Sequence, residues 1–183
     1  MDDVLEKVRE FADNAHGEQM RKYTPDRYIV HPIRVMELCR EYDNRLPVLA
    51  AALLHDVLED TDITEQEMSN FLQSVMGYGA AAETLKLVKN LTDVYVKSAY
   101  PHLNRDQRKA KERDRIAKTN AASQTIKYAD IIDNSKDILA NDRQFARRFL
   151  QECRDVLQVA NKGDQKLYYL AKNTINEGLK QLR

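Results

Sequence analysis

Tryptophan is absent from this 183-residue chain, cysteine occurs twice, proline four times and glycine five times. Each shortage excludes something. Two cysteines cannot build a disulfide scaffold or a thiolate metal site. Cys39 and Cys153 fall within amphipathic helical patterns and read as reduced packing residues of a cytosolic protein. Scarce Gly and Pro, with only short Val and Ile runs, favour helices over sheets. Net charge is absent too: 29 basic residues balance 29 acidic ones, so no whole-molecule field points to nucleic acid or an anionic membrane. No apolar stretch is long enough to span a bilayer. The acidic start, Met1-Asp2-Asp3-Val4, lacks the apolar core of a secretory signal. What is present, 43% hydrophobic and 32% charged residues, suits one all-α domain with a real core, spanning 1–183.

The pattern reads as helix after helix. Asp2 or Asp3 is placed to cap a first helix carrying Val4, Leu5, Val8, Phe11, Ala12 and Ala15 at helical spacing. A polar loop, 17–27, follows. His31-Pro32 and Pro47 open a second and a third helix, since Pro suits a first helical turn. Thr64-Glu65-Gln66-Glu67 is a capping box for a fourth. Gly77 and Gly79 bracket a turn before a fifth, 79–91, with Leu85, Val88 and Leu91 inward. The segment 105–118, with seven basic and three acidic residues, reads as a positive rim, a solvated helix or a loop ordered by a ligand. RNA contact there lacks an interleaved aromatic stacking platform. Segments 121–132, 143–160 and 165–182 complete the set.

Chemistry concentrates at Ala50-Ala51-Ala52-Leu53-Leu54-His55-Asp56-Val57-Leu58-Glu59-Asp60. On a continuous helix His55 stacks with Glu59, and Asp56 with Asp60. An imidazole and three carboxylates then crowd one helix end, against the preference of the macrodipole there. A bound divalent cation would relieve that conflict; solvated surface acids are the plainer reading. With histidine available only at 16, 31, 55 and 102, such a site draws on imidazole and carboxylate, a set suited to Mn²⁺, Fe²⁺, Mg²⁺ or Zn²⁺. His31 stands beside Pro32 at a helix start. Asp130 lies inside the apolar run 126–132, where an acid is costly unless metal-bound or paired with Lys127, three residues earlier.

The order His31, His55-Asp56, Asp130 resembles the pattern of the HD superfamily of metal-dependent phosphohydrolases. More closely, the chain resembles the hydrolase domain of RelA/SpoT proteins and the stand-alone small alarmone hydrolases. The matching stretches are AHGEQMRK (15–22), YIVHPIRV (28–35), AALLHDVLEDTDIT (51–64), LVKNLTD (87–93) and IKYADIIDN (126–134), in the family's order.

The resemblance implies a helical HD-type bundle with His31, His55, Asp56 and Asp130 as metal ligands, usually for Mn²⁺. It implies Glu59 and Asp60 as the pair handling the attacking water. Arg21 and Lys22 fall on the pair that contacts the nucleotide, Asn134 on a ribose-phosphate contact, and Arg105 near a phosphate-contacting basic position. The implied reaction removes the 3′-pyrophosphate from guanosine tetra- or pentaphosphate, giving GDP or GTP. With no room for a synthetase domain, the expectation is a dedicated cytoplasmic hydrolase of a small nucleotide, without nucleic-acid or membrane partners. An HD hydrolase of another phosphorylated nucleotide, such as a dinucleotide 2′-phosphate or a nucleoside monophosphate, is the alternative; a non-catalytic helical module is a further one.

The chain departs from the pattern in places. The loop Tyr23-Thr24-Pro25-Asp26-Arg27 lacks the usual Gly, which bears on base specificity. Tyr128 stands where the family has Leu, and Asp133 precedes Asn134. Arg143, Arg147 and Arg148 are further substrate-contact candidates or simply a solvated helix face.

Overall fold

The computed structural model describes residues 1–182, and its regular structure is helical. The helices are α1 (Asp2–His16), α2 (Val30–Arg40), α3 (Leu46–Leu54), α4 (Val57–Asp60), α5 (Glu65–Met76), α6 (Tyr78–Leu91), α7 (Arg105–Ile116), α8 (Ala121–Asn141), α9 (Arg143–Val159) and α10 (Gln165–Gln181). Among the described residues no strand forms beyond a single antiparallel bridge, Met20 to Arg27, and no helix is long and apolar enough to cross a membrane. The all-α class is therefore as the composition requires. The chain's packing gathers into two compact units, Met1–Thr92 and from Asp93 onward.

In the first unit α3 is the hub. Its segment Val48 to Leu54 is buried on every side, as expected of a helix apolar all round. Helices α1, α2 and α6 pack against it, and Ala50, Ala51 and Ala52 leave room for close approach. Phe11 of α1 stacks on Phe71 of α5 with ring centroids 4.1 Å apart. The Thr64 capping box forms as read, its side chain accepting from Glu67 N–H while Glu67 accepts from Thr64 N–H. Three local expectations are corrected. Met1, not Asp2 or Asp3, is the N-cap of α1, and both acids sit in the first turn, where they still favour the dipole. Gly77, with φ 76°, alone makes the turn into α6. Ala81, Thr84 and Leu87 join Val88 and Leu91 on the buried face of α6, whereas Leu85 is only partly covered.

In the second unit α8 packs against α9 and α10, and α7 against α9. Asn104, Asn120, Asp142 and Asp164 cap α7 to α10 in turn. The 105–118 segment is largely helix, and its key residue is an acid. Glu112 is buried, accepts the backbone N–H groups of Val94 and Tyr95 at 2.6 Å each, and takes Arg115 Nε at 2.7 Å. It thereby fastens the chain just after Asp93 to α7. Helix α8 runs nine residues past the expected end at Ile132.

The first half of α8 is fixed by the turn 160–164. Gln124 Oε1 accepts from Lys162 N–H at 2.7 Å, and Thr125 Oγ1 from Asp164 N–H at 2.9 Å. Tyr128 Oη donates to Ala160 O at 2.7 Å and accepts from Gly163 N–H at 3.2 Å. This explains a tyrosine at a position where the family has leucine. Burial pushes its hydroxyl up to about 12, with the Gly163 bond acting in the opposite direction. A Cβ at Gly163 would meet Tyr128 Cε2 at 2.6 Å and Thr125 N at 2.8 Å. Gly163→Ala should therefore destabilise the protein by about 1–3 kcal/mol through overpacking, read as a lowered Tm; an unchanged Tm would show the turn to be loosely held. The two cysteines are buried and free, as expected, and burial raises the Cys153 thiol to about 12, far from a reactive thiolate.

Candidate metal centre

The helix carrying Ala50 to Leu54 does not continue through the acids. Helix α3 stops at Leu54, His55 is its C-terminal flanking residue, and a four-residue helix, α4, begins at Val57 after Asp56. The expected stacking of His55 on Glu59 along one helix is thus replaced by a corner. The Asp56 carbonyl accepts from both Glu59 and Asp60 N–H, and the acids lie in the first turn of a new short helix rather than the last turn of α3. The dipole conflict inferred from a continuous helix therefore disappears.

The corner brings His55 and Asp56 to His31, which sits in the first turn of α2 beside Pro32. One ligand atom from each of these three residues lies within 4.8 Å of the others. His55 Nε2 is 3.1 Å and His31 Nε2 3.7 Å from Asp56 Oδ2. The imidazoles are 0% and 4% exposed for His31 and His55, and their centroids are 5.2 Å apart. His55 Nδ1 lies 2.8 Å from the Ala52 carbonyl. A carbonyl only accepts, so that bond puts the proton on Nδ1 and leaves Nε2 as a lone pair beside Asp56, the tautomer a ligand needs. Two imidazoles and a carboxylate converging this closely, two of the three buried, fit a divalent cation of the Mn²⁺, Fe²⁺, Zn²⁺ range.

Tyr28, unremarked as a site residue in the sequence, completes this cluster. Its hydroxyl donates to Asp56 Oδ2 at 2.5 Å, orienting the carboxylate. Its ring packs on His16 at 4.5 Å and edge-on to His31 at 5.9 Å. The signal was its place three residues before His31, one turn back at a helix entrance. Asp60 is a group whose ionisation the site perturbs. Loss of water around its carboxyl, then the facing Asp56 charge, raise it above the ordinary carboxylate value, while Gln19, His16 and Tyr28 pull it back. Glu59 is exposed.

Arg21 and Lys22 lie on the segment joining α1 to α2. The Arg21 guanidinium stands 5.7 Å from the Tyr28 ring centre, and Lys22 Nζ donates to Tyr23 Oη at 2.8 Å. The glycine-free loop is well formed. Arg21 N–H meets Asp26 O, Tyr28 N–H meets Gln19 O, and Thr24 Oγ1 donates to Asp26 Oδ2. No residue there needs a positive φ.

In the second unit, Asp130 is buried within α8. Lys127 Nζ donates to its Oδ2 at 2.8 Å and Asn134 Nδ2 to its Oδ1 at 2.5 Å. The Lys127 pairing expected as the alternative is therefore present, and Asp130 and Asn134 are neighbours. Arg105 makes a two-pronged bond to Glu152, 2.8 and 2.7 Å, and lies over Phe145. Glu152 keeps its guanidinium firmly charged. Arg148 bonds Asp106, while Arg143 and Arg147 reach backbone carbonyls at the end of α10.

The HD domain family model matches residues 28–135, which contain His31, His55, Asp56 and Asp130. The chain belongs to the HD domain family. Among named relatives, it is 31% identical over 140 residues to the guanosine-3′,5′-bis(diphosphate) 3′-pyrophosphohydrolase MESH1 of Drosophila melanogaster, covering 72% of this chain and 68% of that protein. It is 45% identical over 64 residues to the guanosine-3′,5′-bis(diphosphate) 3′-pyrophosphohydrolase of Aquifex aeolicus, covering 35% of this chain and 9% of that protein. The probable enzyme of the same name from Synechocystis is 29% identical over 80% of this chain, which spans 18% of it. The chain thus covers only a small part of these two long relatives. A solved structure described as a metazoan ortholog of SpoT that hydrolyses ppGpp shares the fold. It matches with TM-score 0.77 and 24% identity over 97% of this chain and 94% of that one.

Proposed function

We propose that this protein is a cytoplasmic Mn²⁺-dependent hydrolase that cleaves guanosine 3′,5′-bispyrophosphate, or its pentaphosphate, to GDP or GTP and intact pyrophosphate. The observation that carries the reading is the converging His31–His55–Asp56 group in a chain of the HD family that is similar to MESH1 along most of both lengths. The motif assigns Asp130 as a fourth ligand.

His31, His55 and Asp56 would hold the ion, and Tyr28 would fix the Asp56 carboxylate for that task. When bound, a divalent ion supplies a water of lowered pKa and a counter-charge for phosphoryl oxygens. Asp60 and Glu59 would orient that water and accept its proton. Water attacks the phosphorus bonded to the ribose 3′-oxygen, that P–O bond breaks, and the 3′-oxygen leaves as a hydroxyl once protonated. Arg21 and Lys22 would neutralise the pyrophosphate, Arg as a fork and Lys as a point charge. Asn134 would contact the ribose-phosphate region. Arg105, already paired with Glu152 through Nε and Nη2, would offer phosphate its remaining guanidinium N–H groups.

Product analysis after incubation with guanosine tetraphosphate and Mn²⁺ tests the reading. GDP and one pyrophosphate per turnover are expected. Two orthophosphates would mean attack at another phosphorus. Inertness here, with cleavage of a 2′-phosphorylated dinucleotide or a nucleoside monophosphate, would overturn the alarmone assignment.

Arg21→Ala and Lys22→Ala should each raise KM roughly ten- to a hundredfold, the loss of one charge-assisted contact. The effect should shrink as salt rises. Wild-type KM in both would make the pair mere surface.

A further inference from the structure

The motif AHGEQMRK holds two residues the hydrolase reading leaves idle, His16 and Gln19. His16 ends α1 and is 7% exposed. Its Nδ1 lies 2.8 Å from Gln19 Oε1, whereas its buried Nε2 makes no hydrogen bond among the described residues. A leucine would pack against Tyr28 without stranding a buried polar atom, so the imidazole has a cost that packing alone does not repay. Gln19 itself is pinned: its N–H bonds His16 O at 3.0 Å and its carbonyl accepts Tyr28 N–H at 2.8 Å.

Donor arithmetic then orders the cluster. Gln19 and Tyr28 both reach the Asp60 carboxyl. The Tyr28 hydroxyl also meets Asp56 at 2.5 Å, and of the two groups at Asp60 only the Gln19 amide also contacts His16. A carboxylate only accepts, so Gln19 turns its NH₂ to Asp60 and its oxygen to His16. His16 must therefore carry its proton on Nδ1. We propose that His16 and Gln19 are positioning residues, a two-link chain from the end of α1 that holds the Asp60 carboxylate in place for the attacking water. The inference rests on the hydrolase reading for what Asp60 does, and on the His16–Gln19 bond and the Gln19–Asp60 contact for the chain itself.

Two measurements decide it. In ¹⁵N NMR of the intact protein, His16 should be the Nδ1–H tautomer, and Gln19→Ala should abolish that preference. An Nε2–H tautomer, or a spectrum indifferent to Gln19, overturns the chain whether or not the protein is active. In steady-state kinetics with guanosine tetraphosphate and Mn²⁺, Gln19→Ala, Gln19→Glu and His16→Phe should each lower kcat about ten- to a hundredfold, the scale of a misplaced catalytic group. KM and bound Mn²⁺ should hold. His16→Asn, whose amide nitrogen stands near the position of Nδ1, should recover most of the loss, and His16→Phe with Gln19→Ala should be no worse than Gln19→Ala alone. Wild-type kcat in Gln19→Ala, or a His16→Asn as impaired as His16→Phe, overturns the positioning role. A wild-type protein inert toward the nucleotide would instead sink the hydrolase reading, and the tautomer would still judge the pairing.

Discussion

His55→Ala should fold, lose its bound Mn²⁺ and lose at least about 10³-fold in turnover, since a catalytic ion supplies several kcal/mol and each 1.4 kcal/mol is a decade. The expectation follows from how completely His55 is committed. It is buried at the end of α3, held by Ala52 through Nδ1, with Nε2 3.1 Å from Asp56. Asp56→Asn is the companion, because it keeps the volume and the Tyr28 bond but removes the charge. Added Mn²⁺ should raise the Tm of the wild type, since it binds the folded form, and should leave both variants unmoved. Metal retention with full turnover in His55→Ala would remove the His31–His55–Asp56 group from the mechanism.

What the sequence disclosed and what it hid have separable causes. Helix existence was legible because it rests on local signals. The Thr64 box, Pro32 and Pro47 in first turns, and the apolar run of α3 all act within a few residues. The break after Leu54 was not legible. Nothing in Leu-His-Asp-Val forbids a helix, so continuity was the natural expectation, and the corner emerges only when His55 bonds back to Ala52 and Asp56 turns to Tyr28. The meeting of His31 with His55 and Asp56 came from motif resemblance, since no period links residues 24 positions apart.

Other features depend on partners far along the chain. Glu112 reads as one more charge in a basic stretch, yet it is buried because two backbone N–H groups 17 and 18 residues away need an acceptor. Arg105 reads as a phosphate contact, yet it bonds Glu152 across 47 residues. In both cases the residue type was visible and its partner was not. Tyr128 is the clearest instance: its departure from the family's leucine was plain in the sequence, but its reason, the turn at Gly163, lies 35 residues downstream.

Asp60→Asn should abolish most activity while making the metal-free protein more stable at neutral pH. Its carboxyl is raised in the folded state, first by loss of water and then by the Asp56 charge. The folded form therefore holds that proton more tightly than the unfolded chain. Stability falls as pH rises from the unfolded carboxylate range through the folded value, and the deficit persists above it. Asparagine removes the charge and with it the deficit. In chelator-treated protein the variant's Tm should exceed wild type at neutral pH, and the gap should close on acidification. Turnover at saturating Mn²⁺ should fall by ~10²–10⁴-fold, the usual contribution of an acid–base group, with metal still bound. Glu59→Gln is the companion variant, since both acids lie in the first turn of α4. Gained stability beside lost activity is the mark of a strained functional group. Loss of bound metal in both variants would make these acids ligands. A larger loss at Glu59 than at Asp60 would move the proton acceptor to Glu59.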